Sequence, residues 1–251
     1  PSIVTDINGC NEIIKDGENG LIIPPKEVVA LQKAMERLII NNDLYNHLQS
    51  QPFASKLKVG QPTPAPMERI IRAHSSSYIN KVSQDELSKE DLRLINLPWS
   101  QRLRNRSFLA IEGTYLTARQ ALKSGIACHV GGGTHHAHRD HGLGFCVFND
   151  AAVATRVIQN AGLANVPILD CDVHQGNGNS EIFKNDNQVF TFSMHAKVNY
   201  PAKKSVSDLD VELDENLEDK VYLEILKEKL RLLNQEDFDF IFYIAGVDIH
   251  F

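Results

Sequence analysis

The run Leu169-Asp170-Cys171-Asp172-Val173-His174 alternates three potential metal ligands with apolar residues. In an extended chain, residues two apart share a face, so Asp172 and His174 can address one ion with Asp170 just behind. Burying acids side by side is unfavourable without a cation. Over these residues alone, a helix-capping Asp beside a surface His fits equally well. Asp248 adds weight to the metal, because it closes a second apolar run, Ala245-Gly246-Val247-Asp248. For Asp248 by itself, a turn residue at a strand end is the commoner explanation. Together, two carboxylates and one imidazole leave a coordination position open, as a catalytic zinc site requires and a closed structural site does not.

A second group, Gly131-Gly132-Gly133-Thr134-His135-His136, follows another apolar run. Glycines let backbone pass close to a ligand. Neighbouring residues of an extended chain point to different sides, so His135 and His136 are poor partners for one metal. They suit two roles beside it, one taking a proton from water and one holding or polarising the substrate. A solvated surface pair is the bland alternative. A third group, Gly144-Phe145-Cys146-Val147-Phe148-Asn149-Asp150, offers Phe145 as the wall of an apolar channel or, more ordinarily, as a core aromatic. His138 and His141 read as solvated loop residues, and His47 and His129 carry no signal.

These groups need strands to place them. Residues 107–123 have helical spacing, with Phe108, Ile111, Tyr115, Ala118 and Leu122 inward and Gly125 as a stop. Residues 126–130 read as a short strand entering the glycines. Asn149 or Asp150 caps a helix running to about Asn160. Residues 166–171, 189–194 and 240–247 read as apolar strands, and 222–233 as a helix with Leu223, Leu226, Leu230 and Leu233 on one face. Continuous apolar strands separated by helices imply an α/β fold with a parallel sheet covered on both faces. Ligands in such sheets sit beyond the carboxyl ends of the strands, where the polar groups fall here.

Residues 1–53 carry a different pattern. A β-prone run at 2–5, an Asn19-Gly20 turn, a short strand at 21–23, Pro24-Pro25 and a helix over 27–40 form an α/β fragment. The Pro-rich stretch Gln61-Pro62-Thr63-Pro64-Ala65-Pro66 cannot be a regular element, and the junction between the two patterns falls near residues 50–56, dividing the chain into 1–53 and 54–251.

The 251 residues carry a net charge of -6, which gives no support for nucleic-acid binding. No apolar run reaches the ~20 residues of a membrane span, and no basic-then-apolar leader is visible, so the expectation is a cytoplasmic protein. Cys10, Cys128, Cys146 and Cys171 are scattered and read as free thiols.

Taken as motifs, GGTHHAHRDHGLGFCVFNDAAVA, ILDCDVHQGNG, FTFSMH and YIAGVD resemble, in order, those of the histone deacetylase family. LPWS together with DVHQGNG is closest to the class IV and related bacterial branch. The resemblance implies a three-layer arginase–deacetylase α/β fold, incomplete at both ends. It implies zinc on Asp172, His174 and Asp248, with His135 and His136 as the catalytic pair. By the same match, Asp170 would orient His135, and Asn177 would stand beside His136. A structural monovalent cation, K+, would lie by Asp170, Asp172 and Ser193. Gly144 and Phe145 would form the substrate channel, with Tyr200 on its far side. The substrate would be an acylated lysine peptide or an acylated small amine. A glycine-rich loop bearing a catalytic tyrosine, downstream of Asp248 in the family, is not among these residues, so the expected activity is impaired. PSIVTDINGCNEIIKDGENGLIIPP resembles the end of the C-terminal domain of GT-B glycosyltransferases, without the upstream acidic motif that handles the nucleotide sugar. An inactive metal-binding remnant or chimera, and less strongly a glycosyltransferase, are the rival readings.

Overall fold

The computed structural model describes residues 2–5, 20–23, 60–233, 238–246 and 248. The helix expected at 27–40, His47 and Cys10 lie outside them. The chain divides into two units, one within residues 1–60 and the other spanning 61–250. In the first, β1 (Ser2–Thr5) pairs in parallel with β2 (Gly20–Ile23), Ser2 opposite Gly20.

The second unit begins with short helices, α1 (Met67–Ile70), α2 (Ser76–Ser83) and α3 (Lys89–Ile95). Ser75 caps α2 by accepting the Tyr78 N–H, and Ser88 forms a reciprocal capping box with Asp91 on α3. Such caps satisfy N–H groups that a helix start leaves without partners. The long helix α4 (Gln101–Ser124) starts a turn and a half before the expected position because Ser100 caps it, and Gly125 ends it at φ 85°. Its buried face includes Ser107, Ile111, Glu112 and Ala118, whereas Leu122, expected inward, is exposed. Asn149, not Asp150, caps α5 (Asp150–Asn160) by accepting the Ala152 N–H at 2.8 Å.

Four parallel strands follow in the order β5-β4-β3-β6: β3 (Ile168–Asp170), β4 (Thr191–Ala196), β5 (Leu209–Leu213) and β6 (Phe242–Ile244). Helix α6 (Asn177–Phe183) leaves the end of β3, and α7 (Asp219–Leu233) links β5 to β6. Alternation along the strands divides the core. Ile168 and Ile244 face a cluster with Tyr78, Ile111, Phe148 and Ala152 from the earlier helices. Leu169, Phe192, Met194 and Val211 face the other way, onto Tyr222, Ile225, Leu226 and Leu233 of α7. Fully burying a side chain of this size contributes ~1.5–3 kcal/mol, which fixes strand register through which face is apolar.

Two further expectations fail here. Residues 126–130 form no strand; Ile126 and Val130 are largely exposed, and no described strand runs alongside to supply hydrogen bonds. On α7, Leu223 and Leu230 face outward, because Tyr222 and Ile225 take the sheet-facing positions. Cys128, Cys146 and Cys171 are free thiols, the last two buried.

Candidate active site

Strand β3 ends at Asp170, so Asp172 and His174 lie in the bend beyond it and not on the strand itself. They nevertheless face each other. Asp172 Oδ1 accepts the His174 N–H at 2.9 Å and lies 3.0 Å from His174 Nδ1. Asp248, just past β6, brings Oδ2 to 3.1 Å from the same nitrogen and accepts the Val173 N–H through Oδ1. One ligand atom from each of the three lies within 4.8 Å of the others. The two carboxylates raise the His174 pKa to about 9, its hydrogen bonds to Asp172 first and to Asp248 second outweighing burial. A proton on that ring stands between two acids, where a cation would serve the same purpose. The donor set therefore fits a divalent ion with nitrogen and oxygen ligands. Space is kept for the acids by Gly246, where a Cβ would press on Asp172 Oδ2.

His135 and His136 sit in a turn, not in extended chain, so their rings lie side by side with centroids 4.1 Å apart. The expectation that they point to opposite sides does not hold, because strand alternation stops at a turn. Their partners differ. His135 Nδ1 is 2.6 Å from Asp170 Oδ2, both buried, and its Nε2 is 3.7 Å from Asp172 Oδ1. Burial opposes a charge on His135, but the Asp170 carboxylate prevails and its pKa rises. Burial also raises the pKa of Asp170. His136 Nδ1 is 2.6 Å from Asn177 Oδ1, a neutral group, so burial and then the neighbouring His135 push its pKa down to about 3. Tyr200 sets its ring edge-on to His136 at 4.9 Å, and His174 lies 5.9 Å away.

Backbone holds this pair in place. Asp150 is buried at the start of α5 and accepts the Gly133 N–H at 3.0 Å, the Thr134 N–H at 2.7 Å and the Thr134 hydroxyl. The first turn of α6 lies against the histidine backbone: Asn179 donates its N–H to the His135 carbonyl, and a Cβ on Gly178 would collide with that carbonyl and with Ala137's. Ser193 is the register partner of Asp170, and its hydroxyl accepts the Gly176 N–H at 3.3 Å.

Gly144 sits at φ 53° against Tyr200 and His136, since a Cβ there would come within 2.9 Å of both rings. Phe145 also has a positive φ, 66°, and is 57% exposed, so it is not a core aromatic. It shares the rim of a small cavity with Leu103, Thr134 and Phe148.

The family model described as the histone deacetylase domain matches residues 33–251. The chain belongs to this family. A second model, glycosyl transferases group 1, matches residues 1–52. An uncharacterized protein of Picosynechococcus sp. is 50% identical over 195 residues, 77% of this chain and 65% of that protein. The acetoin utilization protein AcuC of Staphylococcus aureus is 28% identical over 218 residues, covering 77% of this chain and 56% of its own length. The chain thus spans less than two thirds of the length of either relative. Among solved structures, an HDAC homolog from Aquifex aeolicus superposes with a TM-score of 0.69 at 22% identity, over 96% of this chain and 67% of that one. That likeness shows the arginase–deacetylase fold.

Within this histone deacetylase domain, two histidines read as unremarkable in the sequence have specific partners. His129 Nδ1 meets the Thr114 hydroxyl at 2.8 Å, and that hydroxyl also donates to Asp150. His138, expected in solvent, is half-buried, with Nε2 3.2 Å from Asn177 Nδ2. The available signal was its place two residues after His136, with a buried Ala137 between.

Proposed function

We propose that the chain is a zinc-dependent amide hydrolase that removes an acyl group, such as acetyl, from a lysine side chain or a similar acylated amine in the cytoplasm. The observation that carries this reading is the convergence of Asp172, His174 and Asp248 beside two adjacent histidines with opposite electrostatic surroundings. Asp172, His174 and Asp248 would hold the zinc, which when bound supplies Lewis-acid polarisation of a carbonyl and acidifies water.

The chain's own residues supply the proton handling. His136 donates its Nδ1–H to Asn177 Oδ1, which leaves Nε2 with a lone pair to take a proton from water. A lowered pKa keeps that ring neutral. His135, paired with Asp170, favours the charged form and stabilises negative charge developing on the substrate oxygen. Environments that push two neighbouring pKa values apart are how one site separates base from acid. Gly144, Phe145 and Tyr200 would flank the acylated side chain, and K+ would sit by Asp170, Asp172 and Ser193, where Asp170 and Ser193 share a strand register. Residues 1–53 and 54–251 are read as units of separate kinds; the histone deacetylase match begins at residue 33 and overlaps the glycosyl transferase match over residues 33–52. The glycosyltransferase alternative rests on residues 1–52 alone and uses none of the His/Asp set.

The test is turnover of an acetyl-lysine peptide by the zinc-loaded chain against a His136→Ala background. General-base catalysis contributes about 10²–10⁴-fold, and His136→Ala should remove a factor of that order. Turnover that depends on both zinc and His136 is the expected outcome. Turnover indifferent to His136, or none with zinc bound, defeats the reading.

A further inference from the structure

The Asn177 side chain lies between two histidines. Its Oδ1 faces His136 Nδ1 at 2.6 Å, and its Nδ2 faces His138 Nε2 at 3.2 Å. An amide has a donor end and an acceptor end, so which end faces His136 decides where that ring carries its proton. With Oδ1 toward it, His136 must hold the proton on Nδ1, and Nε2 keeps its lone pair. With the amide reversed, Nδ2 would donate to Nδ1, the proton would move to Nε2, and the ring could no longer act as a base. Nothing in Asn177 itself chooses between these states. The choice falls to the group at its other end.

We propose that His138 is a positioning residue: its Nε2 accepts from Asn177 Nδ2, locks the amide with Oδ1 toward His136, and so fixes His136 in the tautomer that leaves Nε2 free. This rests on the reading of His136 as the base.

His138 is built for this role. Its backbone N–H donates to the His141 carbonyl at 2.9 Å, and its ring stacks on His141 with centroids 4.6 Å apart and planes 16° from parallel. The stack leaves one ring edge for Asn177. To accept, the ring must be neutral, since an imidazolium would offer an N–H to Nδ2 and favour the reversed amide. Burial first, then His141 and more weakly Lys184, keep its pKa below the usual histidine value, against the pull of Glu181 and Asp140. At neutral pH the ring is therefore uncharged, and in its Nδ1–H tautomer Nε2 is the acceptor that Asn177 Nδ2 requires.

The experiment uses the full chain labelled with ¹⁵N-histidine, at pH 7.5 with and without zinc. Long-range ¹H–¹⁵N spectra distinguish Nδ1–H from Nε2–H imidazole, and the His136→Ala spectrum identifies the His136 signals. His138→Phe keeps a ring stacked on His141 but removes the acceptor, and His138→Ala is a second variant should the first misfold. The wild-type chain should show His136 as Nδ1–H. In His138→Phe the signals should move toward Nε2–H or a mixture, and kcat on the acetyl-lysine peptide should fall about 10-fold, the scale of lost support to a site residue. Adding Asn177→Asp should restore Nδ1–H and abolish the kcat difference that His138→Phe makes, because a carboxylate accepts at either end. An unchanged His136 tautomer in His138→Phe and His138→Ala overturns the inference and leaves the proposed function standing. A tautomer shift in a chain without turnover supports the inference while defeating the hydrolase reading.

Discussion

At the scale of single residues, the site is governed by what each acid faces. Asp172 and Asp248 both face His174, whereas Asp170 is withdrawn behind them and spends one oxygen on His135 and the other on the Asp172 N–H. The two kinds of acid should therefore fail differently. Asp248→Ala removes one of three converging ligand atoms and is expected to weaken zinc binding sharply, read by calorimetry. Asp170→Asn leaves all three in place but removes the charge that holds His135. It should cost about 10–100-fold in kcat, the usual range for a carboxylate orienting a histidine beside a metal, with far less effect on zinc affinity. Equal loss of zinc binding in both variants would show that Asp170 belongs to the divalent site itself. The grouping of Asp172, His174 and Asp248 could be anticipated because Asp172 and His174 alternate just past one apolar run and Asp248 closes another, so chemistry and fold leave the same trace in the sequence. His138 could not, because its partner is 39 residues away and a histidine in a polar loop resembles any solvated one.

At the scale of elements, the sequence disclosed long periodic helices and continuous apolar runs. It announced α4, α5 and the strands β3, β4 and β6, and with them a parallel sheet. It did not announce β5, nor α2, α3 and α6, of eight, seven and seven residues; α2 and α3 depend on the Ser75 and Ser88 caps and on packing into the core around Phe148, and α6, which has no side-chain cap, on its contact with the histidine loop. Residues 126–130 misled for the opposite reason: apolar composition shows a capacity for strand, but a ladder needs a neighbour. The turn at Gly144 is the element closest to the chemistry. At φ 53° any other residue costs about 1 kcal/mol in backbone strain, and the added Cβ would push on the Tyr200 and His136 rings. Gly144→Ala should lower the melting temperature modestly and turnover severely. Phe145→Ala, at an exposed position, should leave melting nearly unchanged and raise KM. If Gly144→Ala lost stability but kept kcat, the turn would matter to folding and not to the histidine pair.

At the scale of the whole molecule, one buried histidine joins segments far apart in sequence. His74 is fully buried just before α2, and its Nε2 accepts the Asn149 N–H at 2.9 Å. Asn149 in turn caps α5 and donates through Nδ2 to Asn179 of α6 and to the Ala137 carbonyl. A proton on His74 Nε2 would face the Asn149 N–H donor to donor. Burial, the largest influence, lowers the His74 pKa to about 4, overriding the backbone groups of His138 and Arg139 that favour the charged ring. In the unfolded chain the value returns to about 6.5. The folded pKa is therefore the lower one, and between the two values the unfolded chain binds the proton that the folded chain refuses. Stability from keeping His74 neutral is fully present above pH ~6.5, declines as pH falls, and is gone near pH 4, a total of about 3 kcal/mol at ~1.4 kcal/mol per pH unit. Carboxylates titrate over the lower part of the same range, so the measurement must be a difference. Urea unfolding of wild type and His74→Leu at pH 7.5, 6, 5 and 4.5 isolates it. Leucine forfeits the hydrogen bond to Asn149 and should be the less stable at pH 7.5, but its curve should fall less steeply toward acid, so that the gap between the two narrows. Parallel curves would mean that His74 takes up its proton in the folded chain, and that the junction of α2, α5 and α6 tolerates the charge.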